Sequence, residues 1–146
     1  MTVLDVFWPI AQAAEGIRFM PSDDSTGKPV YLPAGSTGFM TIGCGTKLPI
    51  DREEAFLLFS HRAQKFVATM NTTVWWLGLD VNRQAAMLEI AYNTGSIFNW
   101  PRLIQAVGNK NWTEAHNEVL FSKAANDPRL YSRYQRIANT MLTGEL

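Results

Sequence analysis

At 146 residues the chain has the length of one domain and can bury a sizeable core. Its formal charge is zero, which argues against a nucleic-acid binder relying on a general basic surface. Cys44 stands alone and the two histidines, His61 and His116, lie far apart, so neither an intrachain disulfide, a cysteine-rich metal site nor zinc catalysis is expected, and no cofactor is implied.

From the N-terminus, residues 3–14 read as a helix that Pro9 either kinks or restarts, with Gly16 as its stop. The stretch superficially suggests a signal peptide, but it lacks a positive start, contains Asp5 and would leave Glu15 at the new terminus. No apolar run reaches the length of a membrane span. Residues 16–50 are punctuated by Gly27, Pro29, Pro33, Gly35 and Gly38, so short strands there predict a small β-ribbon. At Asp51 the period changes. Asp51 with Glu54 forms a capping box, and Phe56, Phe59, Ala63, Phe66, Val67 and Met70 follow at helical spacing to about Asn71.

Trp75, Trp76 and Leu77 form a short link into the core, and Asp80 or Asn82 caps a helix running to Tyr92. That helix carries Ala85, Ala86, Met87, Leu88, Ile90 and Ala91 nearly all round and is predicted to be the buried centre. Helices over 100–107, 112–124 and 128–142 follow, with Asn111/Glu114 and Asp127/Pro128 as starts and Gly108 and Gly144 as stops. Phe66, Trp75 and Leu88 are the expected core markers. The fold class expected is α+β, mainly helical, as one domain: a ribbon lobe over 16–50 and a larger helical lobe over 51–146 joined by the 3–14 helix.

The chemistry points to the ribbon. Glu15-Gly16 is followed after eight residues by Asp24, then by Thr41-Ile42-Gly43-Cys44-Gly45. Glycoside hydrolysis needs two carboxyls in unlike surroundings, one protonated to deliver a proton and one ionised. Separately, each residue has an ordinary explanation. Glu15 could be a solvated glutamate near a helix end, Asp24 an Asx-turn residue before Gly27, and Thr41 a β-branched strand residue. Together the set resembles the phage-type lysozymes, the family 24 muramidases, whose pattern is Glu-Gly, an Asp at this spacing and Thr-Ile-Gly-x-Gly.

The resemblance continues along nearly the whole chain. Residues 82–88 leading to Tyr92-Asn93-Thr94-Gly95 look like the family's central helix and its closing turn. Asn111-Trp112-Thr113-Glu114-Ala115 and Arg133-Tyr134-Gln135-Arg136 resemble its later helices. The resemblance implies a lysozyme-like fold in which Glu15 is the general acid, Asp24 orients and activates water, and Thr41 helps hold that water. It sets Tyr92 and Asn93 on the cleft wall and Arg133 as an ion-pair partner of the catalytic glutamate. The implied activity is bacteriolytic cleavage of the β-1,4 bond between N-acetylmuramic acid and N-acetylglucosamine, with inversion.

Peptidoglycan is the implied partner, with no nucleic acid or membrane span, and the protein is expected to be a monomer. It would be made in the host bacterial cytoplasm and act on the wall, as a free endolysin or carried by the virion. A lytic transglycosylase and a weakly active wall-binding module are the rival readings. Asp23 beside Asp24 leaves the choice of aspartate open. Two departures stand out. Sixteen residues separate Asp24 from Thr41, more than in compact members, and residues 28–38 are expected to loop out as an exposed specificity segment. Thr46 occupies a position where many members carry histidine.

Overall fold

The computed structural model describes residues 2–15, 41–42, 46–47 and 50–146, with side chains over 2–13 and 50–146. Asp24 and the segment 28–38 lie outside the described residues. The described chain is mainly helical. Helix α1 (Val3–Glu15) begins at a reciprocal pair: Thr2 N donates to Asp5 Oδ2 at 2.7 Å and Asp5 N to Thr2 Oγ1 at 3.3 Å. It passes through Pro9 without interruption. Pro9 and Asp5, four residues before it, are both exposed, so water can take the carbonyl that proline leaves without a donor.

Strands β1 (Thr41–Ile42) and β2 (Thr46–Lys47) pair antiparallel, with Thr41 opposite Lys47 and Ile42 opposite Thr46. The remainder of the stretch expected to form a ribbon, 16–40, 43–45 and 48–49, lies outside the described residues. Helix α2 (Arg52–Met70) opens on the predicted capping box, with Glu54 N donating to Asp51 Oδ1 at 2.8 Å and Asp51 N to Glu54 Oε2 at 2.9 Å. The tryptophan link is a helical turn, α3 (Val74–Leu77). Of its two indoles Trp76 is the buried one, donating from Nε1 to Asn71 Oδ1 at 2.7 Å, while Trp75 is half-buried. Leu88 is fully buried and Phe66 half-buried.

Helix α4 (Val81–Thr94) is the centre of the molecule: every residue of Ala85–Ala91 is buried. Asp80 caps its start and Gly95, at φ 81°, ends it in the left-handed conformation that glycine adopts freely. A 3₁₀ turn (Ile97–Asn99) leads into α5 (Pro101–Gly108), followed by α6 (Trp112–Leu120) and α7 (Tyr131–Thr143).

Three predicted boundaries shift. Trp100 precedes α5 because Pro101 takes the first helical position, where its missing N–H costs nothing. Helix α6 stops at Leu120, and α7 begins at Tyr131 instead of Pro128. Asp127 does not cap it. Its carboxylate binds Arg129 three times, at N (2.9 Å), Nε (3.1 Å) and Nη2 (2.7 Å), which fixes a local turn before the helix. Helix α1 packs along α4 and α2, and α7 packs on α6 and α4. The shared core therefore surrounds α4.

Candidate functional site at the end of the central helix

Of the three residues with assigned chemistry, Glu15 is the last residue of α1 and Thr41 opens β1, but their side chains lie outside the described residues, as does Asp24 altogether. The structure brings the other three together at one end of α4. Tyr92 and Asn93 occupy its last turn, and Arg133 lies in the first turn of α7.

Asn93 is exposed yet held on both ends of its amide. Its Nδ2 donates to the phenol oxygen of Tyr134 at 3.0 Å, and its Oδ1 accepts from Arg133 Nη1 at 3.2 Å. An acceptor at one end and a cation at the other determine which way the amide points. Tyr134 is fully buried and stacks on Trp100 with ring centroids 6.1 Å apart at 15°. Burial raises the phenol pKa above its ordinary value, opposed by the Asn93 hydrogen bond and the nearby Arg133 charge. Tyr134 thus stays a neutral anchor for Asn93 throughout the neutral range.

Behind these residues sits a group that sequence reasoning missed. Glu89 is 3% exposed, and Arg136 Nη2 reaches both its carboxylate oxygens at 2.7 and 2.9 Å. Arg133 Nε lies 3.9 Å from the same carboxylate. One buried anion on α4 thereby orients two arginines of α7, and Arg133 bridges that anion to Asn93 at the surface. A signal was present: Glu89 is the lone charge within the apolar run 85–91. Burial of an unpaired carboxylate is too costly to persist, so its position demanded cations from elsewhere.

Tyr92 turns to the other side. Its ring meets Phe7 (5.8 Å, edge-on), Phe59 (5.5 Å) and Phe66 (6.1 Å), locking the end of α4 to α1 and α2. Tyr92 is half-buried, so part of the ring is spent on packing and part faces a cleft beside α2. Among the described residues no three His, Cys, Asp or Glu side chains gather as metal ligands, and no helix is long and apolar enough to cross a membrane.

The Phage lysozyme family model matches residues 12–136, from within α1 to the arginine turn of α7. The chain belongs to the phage lysozyme family. The match spans Glu15, Asp24, Thr41, Tyr92, Asn93 and Arg133 in order, and it supports a lysozyme-like, peptidoglycan-hydrolysing function. No curated protein matches the chain. Within a phage lysozyme, the pairing of Asn93, Arg133 and Glu89 supplies a rigid polar edge anchored on α4 and α7.

Proposed function

We propose that the chain hydrolyses the β-1,4 bond between N-acetylmuramic acid and N-acetylglucosamine of peptidoglycan as a monomer. Glu15 serves as general acid to the departing glycosidic oxygen, Asp24 orients and activates the attacking water, and Thr41 helps hold that water. Water attacking from the face opposite the leaving group inverts the anomeric centre, which requires carboxyls far enough apart to seat it. The α4–α7 edge forms one wall of the proposed cleft. Synthesis in a bacterial host and action on its wall, free or virion-borne, complete the proposal.

The observation that carries it is the pairing of Arg133 and Asn93 over buried Glu89, set within a family match that also includes the acid, aspartate and threonine positions. Such rigid polar groups suit an N-acetylated sugar, whose amide and hydroxyls need donors and acceptors held in advance.

Replacing Glu15 with Gln should reduce wall lysis about 10²-fold or more with the fold retained, because an amide cannot deliver the proton. Asp24→Asn should be similarly damaging and Asp23→Asn mild; the reverse order would move the water-activating role to Asp23. Mass spectrometry of digested peptidoglycan then separates the chemistries. Reducing ends support hydrolysis, anhydro ends indicate a transglycosylase, and intact sacculi a binding module.

A further inference from the structure

A recess borders the last turn of α4 on the side that faces α2. It has a volume of about 500 Å³ and is walled by Phe66, Tyr92 and Phe98, with Thr69 and Ser96 supplying hydroxyls. Arg62 and Lys65, both exposed and both on α2, line it. Among the described residues no acidic side chain lines it. Nor is there one in the sequence between Glu54 and Asp80, a stretch that also contains His61. Neither cation forms an ion pair with a carboxylate among the described residues.

Phe98 is 48% exposed at the mouth, an apolar face left open beside two cations. In a chain of zero net charge this concentration of positive potential is local. Aromatic walls, hydroxyls and two cations with no carboxylate partner among the described residues match a ligand with an apolar or planar body and a carboxylate. Because Tyr92 and Asn93 are adjacent in one helical turn, the recess lies one residue around the helix from the edge proposed to meet the glycan.

We infer that this recess binds the acidic peptide branch of peptidoglycan, with Arg62 and Lys65 holding its carboxylates while the glycan lies against Asn93. The inference rests on the substrate proposed above, but its test does not require turnover. A synthetic stem peptide with free carboxylates, and its fully amidated counterpart, are titrated into the intact protein while the NMR signals of Tyr92, Ser96 and Phe98 are followed.

The carboxylate form should bind and shift those signals, with affinity falling as salt rises. Amidation should weaken binding about tenfold or more, as expected when the two cations lose their anionic partner and keep only a neutral acceptor. Arg62→Gln/Lys65→Gln should weaken the acidic peptide equally while leaving the dispersion of the other signals intact, and Lys65→Arg should keep most of the affinity that Lys65→Gln loses. Equal binding of both peptides, shifts elsewhere only, or binding of a glycerol-phosphate oligomer in preference to the peptide would each overturn it. Failure of the hydrolase proposal is read separately, from wild-type digestion of peptide-free glycan strands.

Discussion

Glu89 shows how one residue can set the geometry of a site it does not enter. Its carboxylate is removed from water, and Arg136 and Arg133 supply the compensating charge from a helix more than forty residues further along. Arg136 Nη1 is buried without a hydrogen-bond partner, so that guanidinium depends on Glu89 through Nη2. Glu89→Gln keeps the shape but leaves two cations facing a neutral amide. The expected cost is about 3 kcal/mol in denaturant unfolding, the low end for breaking a buried pair because Arg136 still reaches solvent. A loss well below 1 kcal/mol would show that water replaces the carboxylate there. Glu89 escaped sequence reasoning because helical periodicity weighs faces and averages over single positions. Asn93 and Arg133 were legible through resemblance alone, since nothing local announces that residues forty apart will meet.

At the scale of elements, the legible signals were those whose partners lie within a turn. The Asp51/Glu54 box, the Asn111 cap and the Gly144 stop all form as the sequence predicts. Asp127 misled for the same reason, because Arg129 lies closer than any helix N–H and competes for the carboxylate. In the one-turn helix α3, neighbouring indoles point in different directions, and only packing decides that Trp76 goes inside. The end of α7 joins both kinds of signal. Gly144 lies at φ 79°, while Asn82 and Arg83 of α4 reach its carbonyls: Asn82 Nδ2 to Gly144 O at 2.7 Å, Arg83 Nε to Met141 O at 2.9 Å and Nη2 to Leu142 O at 3.1 Å. Arg83 also lies over the Trp112 ring at 4.1 Å, binding α4, α6 and α7 in one clamp. A Cβ on Gly144 would meet Arg83 Nη1 at 2.9 Å. Gly144→Ala should therefore cost about 1–2 kcal/mol from the left-handed backbone, and more if the guanidinium is displaced. Thermal unfolding measures it, and an unchanged midpoint would mean the terminus relaxes freely.

For the molecule as a whole, the decisive contact is between its first helix and its centre. Val6, Phe7 and Ala11 of α1 are buried, and Phe7 meets Phe59 of α2 at 5.2 Å and Tyr92 of α4 at 5.8 Å. Trp8 adds edge-on and tilted contacts to Phe56 and Phe59, both at 5.0 Å. Residues distant in sequence thus share one aromatic cluster, and Glu15, two turns beyond Phe7, inherits its position from that anchorage. The consequence is that α1 should open with the helical lobe and not independently. Phe7→Ala removes a fully buried ring from the junction of three helices and should cost about 3–5 kcal/mol. If α1 is integral, hydrogen exchange in α1 and α4 of this variant should accelerate together, since they then belong to one cooperative unit. Loss confined to α1, with α4 protected as before, would make the N-terminal helix a separable arm. In that case the proposed acid would sit on the least stable part of the chain, and its distance from Arg133 would vary with the arm.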